Sequence, residues 1–445
     1  NCNGGSATDF ILGEPLNLGT GGYTKNGPET MNLNGKLNVC GKITINQGNL
    51  SWGTTEGYLG TVPATPTPDA ITLNGGNLVP SNSQVVNANR GITFGTNGGS
   101  IGENTSSGTL TIAGIVSGPG NFTKLTGGSG STVTLSANNT FTGNVLIQAN
   151  NLRIGAGGTT GTLGSGSFVT NNGDLGFNRS DAVYTYGGTI SGTGGVTNFG
   201  AGAITLTGAN TYAAGTGINA GALFINNTAG SGTGSGNVNV LTKATLGGIG
   251  FIGGAVTVNA GGTISPGAAA SSVGTLTINN NLTLAGNVNI AINKSLATTA
   301  GLITVAGSLI NSGTGTLAVT NLGPALVSGD RFQIFSQPVS GGSALTVSGG
   351  GVMWNNNLAV DGSISVQPTG TQPKITNFSL SGSNLVLSGS NGTAGAGYYV
   401  LFTTNVAQPV STWTRVLTNS FDGSGNFSVT NTISGPQGFY LLQLQ

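Results

Sequence analysis

VTLSANNTFTGNVLIQANNLRI, residues 133 to 154, aligns without gaps on ITLTGANTYAAGTGINAGALFI, residues 204 to 225. Counted from Val133 to Ile204, the offset is 71 residues. Upstream, VSGPGNFTK from Val116 matches ISGTGGVTN from Ile190 at an offset of 74. Downstream, GSGSFVTNNGDLG from Gly164 matches GSGNVNVLTKATLGG from Gly234 at 70, widening to 71 by Leu175 and Leu246. Offsets that drift by a few residues mark insertions in loops between strands of constant spacing. A unit of this size reads as about three stacked coils of roughly 20 to 25 residues rather than one compact domain.

The composition agrees with stacked coils. Glycine supplies 83 of 445 residues, and glycine, Thr, Val, Asn and Ser are all weak helix formers. TLTI (109 to 112), VTVNA (256 to 260) and NLTL (281 to 284) alternate apolar and polar residues, the period of a strand with one buried face. The chain is all-β. In a parallel β-helix each coil pairs with the coils above and below, about 4.8 Å away. Leu, Ile, Val and Phe then form interior ladders, and Gly and Asn take the corners. Like charges stacked at that spacing repel, whereas Asn and Thr ladders hydrogen-bond along the stack. The low charge, 12 Lys and Arg with 11 Asp and Glu, is a consequence of this architecture.

The same counts exclude whole classes of function. A net charge of +1 with no basic stripe excludes electrostatic nucleic-acid binding. No apolar run approaches eighteen residues, so no transmembrane helix is expected. Histidine is absent, which removes Ser-His-Asp and Cys-His catalysis and imidazole metal ligation. The glycine-rich stretches carry no phosphate-loop motif. No cofactor and no metal is expected.

Residues 109 to 260 resemble the autotransporter-associated β-strand repeats of large secreted and surface proteins of Gram-negative bacteria. The motifs that carry the likeness are LTGANTYAAGTGINAGALFINN (206 to 227), GSGSFVTNNGDLGFNRSDAVYTYGGTISGTG (164 to 194) and GGTISPG (261 to 267). The resemblance implies a right-handed parallel β-helix, export, and a passenger or surface-structural role. An autotransporter ends in a membrane barrel, and the roughly 75 residues after the repeats do not suffice for one, so another secretion route is expected.

Boundaries follow from composition. Residues 1–70 hold both cysteines and eight of the 23 charges, together with the proline-rich TVPATPTPDA (61 to 70). They read as an N-terminal cap or first coils with a surface insertion. Regular coils are expected over 71–366, with WNNNLAVDGSISV (354 to 366) as the last of them. QPTGTQP (367–373) reads as a linker. Residues 374–445 are rich in aromatics and contain six candidate strands, with FDGSGNF (421 to 427) as a hairpin signal. They read as a small antiparallel β-sandwich. YYVLFTTNVAQPVSTWTRV and GFYLLQL within it resemble C-terminal modules on secreted proteins of verrucomicrobia and their relatives.

Candidate chemistry is sparse. Within 71–366 the acids are Glu103, Asp174, Asp181, Asp330 and Asp361. Asp174, Arg179 and Asp181, in GDLGFNRSDA, form the one dense spot, a candidate glycan-cleaving or cation site. The preferred reading is a corner insertion in which Arg179 pairs with an acid and Phe177 enters the core. Asp330 and Arg331 are expected to cap a hairpin before Phe332, Ile334 and Phe335. Trp413 is a candidate for stacking on sugar, with a place in the sandwich core as the preferred alternative. Cys2 and Cys40 form an even pair that an exported chain would bond as a disulfide. A lipid anchor needs its cysteine first, and no signal peptide stands at Asn1, so the chain is read as processed.

The expected function is a non-enzymatic extracellular structural or adhesive protein of a Gram-negative-type cell surface, self-associating end to end or by strand exchange. A glycan-binding or glycan-cleaving secreted β-helix is the alternative.

Overall fold

The computed structural model describes residues 10–12, 14–33, 38–164, 168–367, 372–433, 435 and 437–444. The chain divides into two units, one of Asn1–Leu326 with Asp330–Val366 and the other of Val327–Gly329 with Gln367–Gln445. Residues 368–371 of the expected linker lie outside the described residues.

The first unit is a parallel β-solenoid with three faces, which the chain visits in a constant order wherever it forms strands. The first face is a nine-stranded sheet from Phe10–Ile11 to Ile190–Ser191, resumed by Phe251–Ile252, Thr275–Ile278 and Leu302–Val305. The second is an eleven-stranded sheet from Gln84–Val86 to Leu309–Asn311. The third has five strands from Tyr23–Lys25 to Val116–Ser117 and eight from Tyr184–Tyr186 to Thr346–Gly349. Between these two sheets of the third face, backbone bonds from Thr140 to Val116 and from Thr162 to Ala137 continue the stack without regular strands.

Alternation explains the core. In Thr109–Ile112 the side chains of Leu110 and Ile112 turn inward and the threonines outward. Leu110, Val133, Leu152, Leu175 and Val196 then stack in register through successive coils of the second face. Each such residue contributes about 1.5 to 3 kcal/mol by leaving water. Phe94 and Phe122 stack at 5.4 Å, with Phe141 edge-on to both. About twelve turns at about 4.8 Å make a rod on the order of 58 Å long.

A polar device closes the corners. The last residue of several strands turns inward and bonds its own corner and that of the following coil. Asn311 donates to the carbonyls of Gly313 (2.9 Å) and Gly341 (3.0 Å), while Asn171 accepts from the Gly173 amide and donates to the Gly195 carbonyl. Lys25 and Lys124 do the same with an ammonium group, Lys124 reaching the Ala149 carbonyl at 3.0 Å. Burial lowers the Lys124 pKa to about 8 against the partial opposition of Glu103. The unfolded chain therefore binds this proton more tightly between pH 8 and the ordinary 10.5, and stability rises with pH across that window. Relative to Lys124→Met, the parent protein is expected to gain resistance to urea from pH 7.5 to 9.5. Parallel stability curves for the two would refute this.

Four expectations need correction. The 71-residue repeat is three coils plus one face. Thr132 pairs upward through Asn151 and Asp174 to Gly195 on the second face, while its repeat partner Ala203 begins a strand of the third. Residues 354 to 366 are not a parallel coil. Trp354–Asn357 and Ser363–Val366 pair antiparallel with each other, and Arg331–Gln333 joins on the far side of Ser363–Val366. Gly362, with φ +80°, reverses the chain between them. Phe332, Trp354, Leu358 and Ile364 enter the solenoid's core, so this end is closed by the unit's own chain rather than left open. The proline-rich segment is not wholly a loop either. Pro68 lies within the strand Thr67–Leu73, where the pairing register shifts between Thr67 and Ile71. Pairing of Phe10–Ile11 with Thr30–Leu33 places coils within residues 10 to 70 as well.

The second unit has two three-stranded antiparallel sheets. One orders Lys374–Ser381, Asn384–Ser390 and Phe427–Thr432; the other orders Thr414–Ser420, Gly397–Thr403 and Phe439–Leu444. The fourth correction falls here. FDGSGNF forms a tight turn, with the Asp422 carboxylate accepting from the Ser424 and Asn426 amides, yet it joins strands of different sheets. Phe421 and Phe427 both enter the core beside Tyr398, which pulls the turn across the sandwich.

Candidate functional site

The strand Asp174–Phe177 lies on the second face, with Phe177 in the core as expected. Arg179 follows the strand and is buried. Its Nε donates to Asp181 Oδ1 at 3.0 Å and a terminal nitrogen to Oδ2 at 2.7 Å, while other N–H groups take the carbonyls of Thr159 and Gly161. The guanidinium also stacks on Tyr184 at 4.5 Å. These hydrogen bonds hold the Asp181 carboxyl below its ordinary range. Arg179 and Asp181 thus staple a corner, and all the geometry of this pair is accounted for by backbone it closes.

Asp174 belongs to a different place. It opens the strand, about 10 Å of extended chain from Phe177, and accepts from Thr197 Oγ1 at 2.9 Å. Burial raises its pKa, opposed by the Thr197 hydroxyl and the Arg153 charge. Arg153 extends outward from Asn151–Ile154 with its guanidinium 4.9 Å from the centre of the Phe199 ring. Its buried Nε–H has no acceptor among the described residues. A Cβ at Gly176, next to Arg153 in the following coil, would come within 2.9 Å of the Phe199 ring, so the ring lies over the glycine.

A groove of about 730 Å³ lies on the third face. Thr205, Phe224 and Asn226 line its floor, the loop 268 to 271 forms a wall, and no charged residue borders it. Phe224 lies across Gly247 of the next coil, and Asn226 donates to the Ala268 carbonyl at 2.9 Å. Sequence reasoning passed over Arg153, Phe199 and Phe224. The signal was present: the 71-residue alignment sets Arg153 against Phe224, each outward, large and paired across to a glycine.

The remaining candidates are local. Asp330 pairs with Lys294 at 2.9 Å, and Arg331 binds Asp361 and Ser363, securing the antiparallel strands that follow. Trp413 is half-buried outside the small core, its indole N–H donating to Gln408 in its own loop at 3.0 Å. The preference for a core tryptophan is corrected, because Tyr398, Phe421 and Phe427 already fill that interior. Cys2 lies outside the described residues. Cys40 is buried with its Sγ 3.5 Å from the Leu59 carbonyl, and burial pushes its thiol pKa up. Among the described residues no group of three or more His, Cys, Asp or Glu is placed to hold a metal, and no helix is long and apolar enough to cross a membrane.

No family model matches the chain. A stretch of 111 residues, 24% of the chain, is 43% identical to the adhesin BmaC autotransporter of Brucella suis biovar 1 (strain 1330). The match spans 3% of that protein's length. Over that stretch the chain is similar to an autotransporter adhesin, and its parallel β-solenoid is compatible with that similarity.

Proposed function

We propose that this chain acts outside the cell as a non-enzymatic adhesive and structural element of a Gram-negative-type surface. The observation that carries this reading is the similarity of 111 residues of the chain to an adhesin, in a chain that carries few charges and whose first unit is a parallel solenoid. Such a surface offers many weak, repeated polar contacts, which suits multivalent attachment better than chemistry at one centre. Three of the five acids within 71–366 support the non-enzymatic part, since Asp181, Asp330 and Asp361 are each committed to a basic partner. Beads coated with the chain are expected to adhere to epithelial cells or extracellular matrix more than beads coated with albumin. Equal retention of both would defeat the adhesive reading.

Self-association is the second part of the proposal. With one end of the solenoid closed, the template we choose is the strand Lys374–Ser381, one of the edges of its sheet. Phe378 is 73% exposed and Leu380 67% on this edge, which carries neither proline nor any charge beyond Lys374. A second copy adds a strand there. Light scattering by the parent protein is expected to grow with concentration, and Phe378→Lys with Leu380→Lys to abolish that growth. Scattering that is flat for the parent, or equal for the variant, would count against the edge. In the exported protein we also expect Cys2 and Cys40 to be bonded, so that both escape alkylation in denatured, unreduced material; two labelled thiols would exclude the bond.

A further inference from the structure

We infer that the second face carries a recognition site for a neutral sugar, built from Arg153, Asp174 and Phe199. This rests on the adhesive reading and names the ligand class that one surface would take.

The chemistry follows from what each group can offer. A guanidinium only donates and a carboxylate only accepts. The guanidinium of Arg153 makes no hydrogen bond among the described residues, its Nε–H enclosed and its outer N–H groups left for a ligand, although Asp174 lies close enough to feel its charge. Asp174 spends one oxygen on Thr197 and not on the guanidinium. A cation brought here satisfies the carboxylate and is repelled by Arg153; an anion meets the reverse. A hydroxyl both donates and accepts, so adjacent hydroxyls of one sugar ring satisfy the two groups together.

The third component is apolar. Phe199 is 37% exposed just past the strand end, and its ring rests above Gly176. The aliphatic C–H face of a pyranose packs on such a ring while its hydroxyls turn to the charged pair. Gly176 is the positioning residue: an added Cβ would meet the ring at 2.9 Å and lift it without removing any ligand group. A second cation–ring pair, the exposed Arg415 over Tyr399 at 3.5 Å in the second unit, has no carboxylate among its described partners and serves as the control.

The test is affinity electrophoresis of the full chain in native gels cast with a neutral glucan, galactan or mannan. At least one polysaccharide is expected to retard the parent. Arg153→Gln, Asp174→Asn, Phe199→Ala and Gly176→Ala are each expected to weaken retardation at least tenfold, with Arg415→Gln unchanged. Thermal melting confirms that each variant is folded. No retardation by any of the three, or equal retardation of parent and Arg153→Gln, overturns the site. Bead adhesion, run in parallel, separates the two claims. Adhesion that survives in Phe199→Ala and Arg153→Gln, with no sugar retardation of the parent, refutes the site and leaves the adhesive reading standing. Retardation lost on mutation, with no adhesion by the parent, supports the site and refutes that reading.

Discussion

Asn210→Ala is expected to lower local stability on the order of 4 kcal/mol, visible as about a thousandfold loss of amide protection around Ile190. Asn210 is buried between coils. Its Oδ1 accepts from the Ile190 amide at 2.8 Å, and its Nδ2 donates to the Gly232 carbonyl at 2.6 Å. One side chain therefore serves the coil before it and the coil after it, on the stretch of the first face where regular strands lapse. Alanine leaves an N–H and a C=O buried without partners, each costing about 1 to 3 kcal/mol. Its repeat partner Asn139 makes the same two bonds, to the Val116 amide at 2.9 Å and the Thr162 carbonyl at 2.6 Å. Asn139→Ala should thus behave alike on the third face, whereas exposed Asn219→Ala should change stability by no more than about 0.5 kcal/mol. Hydrogen exchange is the right measure, because stacked coils need not unfold in one step. Full protection of Ile190 in Asn210→Ala would refute the bridging role.

The paired asparagines show what was legible in the sequence and what was not. The alignment that sets Asn139 against Asn210 also sets Phe141 against Tyr212, and all four are buried. Strand content, coil stacking and the six strands of the second unit followed from alternation and turn residues. The extra third of a turn in the repeat did not. An interior ladder of Leu, Ile and Val is the same on any face, so the pattern carries no label for which face a strand occupies. Residues 354 to 366 misled for a related reason: WNNN and SISV have strand character, but direction is decided by the reversal at Gly362. At the candidate site, neighbours in sequence pointed to Asp174 with Arg179 and Asp181. Neighbours across coils, 21 to 23 residues away, supplied the Thr197 hydrogen bond and the Arg153 charge that act on Asp174.

That dependence on neighbouring coils makes backbone spacing the least forgiving feature, and Gly248→Ala is expected to prevent the coils around it from closing. Gly248 ends the strand Thr245–Gly248 with φ +127°. A Cβ there would lie 2.1 Å from the carbonyl oxygen and 2.5 Å from the amide nitrogen of Ile225, in the coil before. Both clashing atoms are backbone, so no side-chain rotation relieves them. The same Ile225 carbonyl accepts from the Ile249 amide at 3.0 Å and the Gly250 amide at 2.8 Å, and both bonds stretch if the coils part. Losing them costs about 1 kcal/mol each or more, and the strained backbone adds about 1 to 3 kcal/mol. The expected total is about 4 kcal/mol or more, enough to open the loop at 226 to 232 and the segment at 249 to 255 to protease. Gly158→Ala is the contrast, since nothing lies within 4 Å of its added Cβ, and it should resist protease as the parent does. Cleavage of Gly248→Ala at the parent's rate would mean that adjacent coils yield to a methyl group, and the close stacking inferred for this rod would fail with it.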